Sequence, residues 1–223
     1  MHATSLQIEV PGAGAVSALW QSPEQPFACL VLAHGAGAGM AHRSMAAVAD
    51  GLQGLGVATM RFQFPYMERG SRRPDGPAVA HATVRAAVAA AIMQGNGLPL
   101  FAGGRSFGGR MTSQAQALNP LAEVRGLVFF AFPLHPAGKP SVTRAEHLAT
   151  VTIPMLFLQG SNDALAEFDL LRPMVSRLGD RATLDLIDNA DHAFHVPART
   201  GRKDADVLAA SLKTAADWMQ ALS

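Results

Sequence analysis

Ser106 sits in Gly104-Arg105-Ser106-Phe107-Gly108, a G-x-S-x-G pattern. The pattern has a steric meaning. Small neighbours let a chain turn sharply from strand to helix and lift a hydroxyl clear of a sheet. The helix that follows points its N-terminus at negative charge developing on a substrate oxygen. A serine hydroxyl alone is a poor nucleophile. It needs a base, and the base needs an acid to orient it. His192, in the short segment 189–194, is the candidate base among eight histidines. Asp163, in Gln159-Gly160-Ser161-Asn162-Asp163, is the candidate acid. Such a set performs acyl transfer through a covalent serine intermediate.

Each role has a blander rival. Asp163 could cap a helix, since Asp is favoured there. Asp188 and Asp191 are rival acids, but they crowd His192 in sequence. His192, Asp191 and His195 could group around a metal, yet no H-E-x-x-H pattern accompanies them and no metal is expected. His34-Gly35-Ala36-Gly37-Ala38-Gly39 follows an apolar run. Small residues there let a backbone N–H approach a substrate oxygen, so the oxyanion donors are assigned to Ala36 N–H and Phe107 N–H. Met40 and His42 stand where a G-x-G-x-x-G loop would need its last glycine, so no nucleotide cofactor is expected.

Arg61, Tyr66, Arg69, Arg72 and Arg73 cluster around the polar segment 66–77. This reads as a solvated loop or as a receptor for a substrate carboxylate or phosphate. Tyr66, Arg72, Arg105 and His135 are the substrate-binding candidates. His42, His81 and His147 read as surface or supporting residues, His34 as a structural residue of its loop, and Cys29 as a core thiol.

The elements that must position these residues follow from apolar periodicity. Residues 5–10 and 16–21 read as an antiparallel pair. Strands are expected at 27–33, 57–62, 98–102, 124–130, 155–159 and 182–187. The strand at 98–102 is expected to enter a glycine-rich turn at Gly103-Gly104. Helices are expected after the His34 loop, from Pro77 to about 93, after Ser106 to about 118, at 168–178 and at 204–222, with a short helix near 144–149. Alternating strands and helices predict an α/β fold, a mostly parallel central sheet with helices on both faces. Ligands in such sheets sit beyond the carboxyl ends of the strands, where Ala36, Ser106, Asp163 and His192 all fall.

Composition excludes other classes. The chain has 223 residues, 49% hydrophobic and 16% charged, which excludes a disordered polyelectrolyte and suits one domain over 1–223. Eighteen Lys+Arg against seventeen Asp+Glu give +1, so no global field recruits nucleic acid or an anionic membrane. One cysteine excludes an intramolecular disulfide framework. No leader and no spanning segment is read from the chain, and a cytoplasmic address is expected by default.

The motifs also carry a resemblance. H-G-A-G-A-G at 34–39, G-G-R-S-F-G-G-R at 103–110, F-P-L-H-P-A-G-K-P at 132–140 and D-H-A-F at 191–194 resemble the α/β-hydrolase superfamily. They look most like its small dienelactone-hydrolase-like members, and closest to the group containing testis-expressed protein 30 and subunit 3 of the NSL complex. The resemblance spans roughly residues 30–194. It implies an α/β-hydrolase fold with Ser106 as nucleophile, His192 as base and Asp163 as acid. Dienelactone hydrolases carry a cysteine nucleophile; here that position is Ser106. The expected function is hydrolysis of a small ester or thioester acyl substrate without a cofactor. The segment 134–154 leaves room for a minimal cap at most. The competing readings are a non-catalytic binding module on the same fold, and an acyltransferase using the same serine.

Overall fold

Continuous apolar runs become strands that are dry on both faces. Every residue is buried in β3 (Ala28–Ala33), β4 (Val57–Phe62) and β7 (Met155–Gly160). In this computed structural model, which describes residues 3–223, they join β1 (Thr4–Val10), β2 (Gly14–Gln21), β5 (Leu100–Arg105), β6 (Val124–Phe130) and β8 (Ala182–Ile187). The sheet order is β1-β2-β4-β3-β5-β6-β7-β8. From β4 to β8 all neighbours are parallel, while β2 joins β4, and β1 joins β2, antiparallel.

Successive side chains of a strand point to opposite faces, and the core divides accordingly. Val31, Met60, Ala102, Phe129 and Phe157 pack on one face with residues of α3 (Pro77–Gly95), α4 (Phe107–Leu118) and α5 (Phe168–Ser176). Leu30, Leu32, Phe101, Val128 and Leu158 pack on the other with α1 (Arg43–Gly54) and α6 (Asp204–Ala221). Each fully buried Leu or Phe contributes about 1.5–3 kcal/mol over an exposed one. The fold is the expected mostly parallel α/β architecture.

Three segments differ from the sequence reading. Gly103 and Gly104 are strand, not turn: β5 runs to Arg105 because Gly104 still pairs with Ala33 and Arg105 with Phe130. The sharp turn falls on Ser106 itself. Tyr66 is not in a loop. It lies in a short helix, α2 (Pro65–Glu68), and is wholly buried. Arg61 leaves the proposed polar patch, because it is a buried residue of β4 that donates to Gln21 Oε1 at 2.8 Å and to the Met40 carbonyl. The connection from β6 to β7 carries a 3-10 helix, Thr143–Thr150.

Candidate active site

β5 delivers Ser106 at its carboxyl end, in a conformation (φ 49°, ψ −113°) that L-residues rarely adopt. Such a residue costs of order 1–3 kcal/mol and persists only when its surroundings hold it. They do. Ser106 N–H donates to the Phe130 carbonyl at 3.0 Å, and Arg110 N–H returns to the Ser106 carbonyl at 3.1 Å. The turn also needs Gly108, where a methyl group would lie 2.5 Å from the carbonyl oxygens of both Ala33 and His34.

The candidate base and acid arrive from two neighbouring strands. His192 follows β8, and its Nε2 lies 2.9 Å from Ser106 Oγ. Its Nδ1 lies 2.7 Å from Asp163 Oδ2. An ionised carboxylate only accepts, so the proton sits on Nδ1 and Nε2 is free to accept from the serine hydroxyl. The Asp163 carboxylate is fully buried, whereas the His192 ring is 28% exposed. Gln159 Nε2 donates to the same Asp163 Oδ2 at 2.5 Å, and Leu165 N–H donates to Oδ1 at 2.8 Å. Gln159 is fixed in turn by Phe132 N–H, which donates to its Oε1 at 2.8 Å.

The rival roles resolve in the same geometry. α5 begins five residues after Asp163, with Glu167 at its cap position, so Asp163 does not cap it. Asp191 turns its carboxylate onto Ala193 N–H (2.7 Å) and His195 N–H (3.0 Å), which shapes the loop bearing His192. His195 pairs with Asp204 at 2.8 Å instead of turning to His192. Among the described residues no group of three His, Cys, Asp or Glu is placed to hold a metal ion. Cys29 is a core thiol, its pKa pushed up to about 12 by burial.

The loop after β3 is held from below. His34 is wholly buried, accepts from Phe64 N–H at Nε2 (3.1 Å) and donates from Nδ1 to the Gly35 carbonyl (2.7 Å). Burial lowers its pKa, which keeps the ring neutral as this pairing requires. Tyr66 hydroxyl donates to the Ala36 carbonyl at 2.9 Å. Its own pKa is pushed up to about 12, by burial first and Asp75 second, so it remains a donor. Ala36 N–H and Phe107 N–H donate to no other described residue. Phe107 opens α4, where an N–H has no partner inside its own helix.

Two clefts meet at this point. One, of about 520 Å³, is lined by Ser106, His192, Ala36, Arg105 and His42 among others. The other, of about 420 Å³, is lined by Ser106, Phe107, Ala36, Arg110, Arg144 and Leu165 among others. Of the substrate-binding candidates, only Arg105 lines a cleft containing Ser106. Arg72 borders a separate hollow beyond Ala36 and Gly37. Tyr66 and His135 are corrected to interior positions. Both are wholly buried, Tyr66 under the Ala36 loop and His135 with Nδ1 bonded to the Pro136 carbonyl at 2.9 Å. Gln159, Arg110 and Arg144 were missed. Arg110 has the one readable signal, since it falls one helical turn after Ser106.

A parallel sheet with a serine elbow on its middle strand, and a histidine and an aspartate beyond two later strands, defines the α/β-hydrolase class. Residues 26–220 match the alpha/beta hydrolase domain family, and the chain belongs to it. Solved structures with the same fold include dienelactone hydrolase from Anabaena variabilis, at 19% identity and a TM-score of 0.79 over 99% of this chain and 98% of that one. They also include a lidless α/β serine hydrolase from Xanthomonas campestris, at 21% identity and a TM-score of 0.76 over 98% and 95%. A third is an α/β serine hydrolase homologue from Coxiella burnetii, at 18% identity and a TM-score of 0.76 over 96% and 98%. Among the described residues no helix is long and apolar enough to cross a membrane.

Proposed function

We propose that this protein is a serine hydrolase of small esters or thioesters, working as one domain over 1–223. The observation that carries the reading is the continuous chain of hydrogen bonds from Ser106 Oγ through His192 to the buried Asp163. Ser106 Oγ attacks the acyl carbonyl carbon, and its proton passes to His192 Nε2. Asp163 holds the ring tautomer and stabilises the imidazolium. Ala36 N–H and Phe107 N–H receive the oxyanion. When the intermediate collapses, the bond to the leaving oxygen or sulfur breaks and His192 returns the proton to it. Water then attacks the acyl-serine with His192 again as base, and the acid is released. Every step uses groups of this chain, and the reading assigns no cofactor. The finer kinship, with dienelactone-hydrolase-like proteins and the testis-expressed protein 30 group, rests on the shared motifs. A reducing compartment suits the one cysteine of the sequence, Cys29, which is free and buried.

The test is labelling by a fluorophosphonate, read as intact mass. Wild type should gain one adduct, and Ser106→Ala should gain none. A folded wild type that gains none overturns the assignment and leaves a binding module on a hydrolase fold.

A further inference from the structure

The second cleft holds two guanidinium groups that pair with no described carboxylate. Arg110, on the first turns of α4, and Arg144, on the 3-10 helix Thr143–Thr150, both line it. Neither side chain makes an ion pair or a hydrogen bond with any described residue. Arg110 Nε is buried and unpartnered, and its guanidinium lies 5.9 Å from the Phe107 ring centre. The carboxylate in the same cleft, Asp75, is already engaged: Arg69 donates to Oδ1 at 2.6 Å and Tyr66 N–H to Oδ2 at 2.7 Å. Burial and the charge of Arg144 both lower the Arg110 pKa, so the two cations stand close enough to repel. Two half-buried arginines that share a cleft, and whose one neighbouring acid is already engaged by other donors, form a site for an anion.

The chemistry of the elbow says which end of a substrate carries that anion. His192 must hand a proton to the leaving atom, so the leaving group lies beside His192. His192 lines the first cleft and is absent from the second. The acyl chain therefore occupies the second cleft, against Pro74, Met111, Pro133 and Leu165, with its far end at the arginines. We propose that the preferred substrates are half esters or half thioesters of short dicarboxylic acids, whose free carboxylate is held by Arg110 and Arg144. This deepens, and rests on, the serine-hydrolase reading.

The test compares monomethyl succinate, glutarate and adipate with the neutral methyl esters of matched length, following acid release by NMR. At least one half ester should exceed its neutral partner in kcat/KM by about tenfold or more. In Arg144→Ala that ratio should fall by about 10- to 100-fold, the range for a lost charged hydrogen bond; Arg144→Glu should reverse the preference. Equal kcat/KM for half and neutral esters overturns the proposal and leaves the hydrolase reading standing. Calorimetric titration of Ser106→Ala with glutarate separates the two claims. Binding that Arg144→Ala abolishes, in a protein that hydrolyses neither ester, upholds the anion site while the hydrolase reading fails. No binding, in a variant whose melting matches wild type, overturns the anion site.

Discussion

Arg105 Nη2 donates to the backbone carbonyl of His192 at 3.1 Å, so the residue before Ser106 grips the loop that carries His192. The same guanidinium lies 5.9 Å from the ring centre of Phe194, on the far side of that loop. Phe194 itself has φ 63°, a conformation that a side-chain anchor helps to hold. Two segments 87 residues apart are thus tied by one side chain.

Arg105 is accordingly a positioning residue, and it can be tested as one. Arg105→Met should lower kcat by roughly 10- to 100-fold, because a displaced base loses alignment, not affinity. KM for a neutral ester should change little. Arg105→Lys should recover part of the rate. A loss confined to KM would instead make Arg105 a substrate contact.

Tyr66→Phe removes one hydroxyl from the interior beneath the Ala36 loop. The Ala36 carbonyl then loses its 2.9 Å donor. The expected cost is about 1 kcal/mol of stability. The rate should fall several-fold, since Ala36 N–H is the proposed oxyanion donor. Chemical denaturation and steady-state kinetics on the same sample read both.

Gly160→Ala should separate the acid from the base. A methyl there would lie 2.3 Å from the Ala190 carbonyl oxygen, within the connection that leads to His192. The end of β7 and that connection would have to part, and Asp163 and His192 with them. Fluorophosphonate labelling should slow by at least tenfold. Labelling at the wild-type rate would show that the two loops close up again.

His147 sets a pH dependence of stability. Burial, the charge of Arg110 and His81 together lower its pKa to about 4. Its Nε2 lies 2.7 Å from Ser113 Oγ, which ties the 3-10 helix to α4. In the unfolded chain an ordinary histidine titrates near 6.5. Between those two values the unfolded state takes up a proton that the folded state refuses. The contribution is therefore fully present above about pH 6.5 and is lost as pH falls to about 4, on the order of 3 kcal/mol. Thermal melts at pH 7 and pH 4.5 should show a larger drop for wild type than for His147→Gln.

The sequence carried the parallel sheet, because strands buried on both faces appear as unbroken apolar runs such as Ala28–Ala33. It also carried Ser106, Asp163 and His192 to the strand ends where the structure brings them together. The supporting residues were hidden for a physical reason. Gln159 is a polar side chain at the end of a buried strand, and its bond to Asp163 exists only once the loop folds back on it. Tyr66 opens the polar segment 66–77, yet Phe64 and Phe107 close around its ring. Gly103 and Gly104 were read as turn because glycine weakens a strand; parallel pairing on both sides overrides that preference. Arg144 lies 38 residues along the chain from Ser106, and only the fold puts the two on one cleft.

Of the residues that line the two clefts, Ser106 and Ala36 are the shared ones. On the proposed orientation, a bond broken at that junction would leave its two fragments in different clefts. In an acyl-serine cycle the alcohol can depart through its own cleft while the acyl group keeps its seat. The vacated chamber then becomes the entrance for the second nucleophile. On the proposed acyl-serine chemistry, kinetics of the ping-pong kind are expected. A small alcohol added to the solution should compete with water for that entrance and divert acid into a new ester.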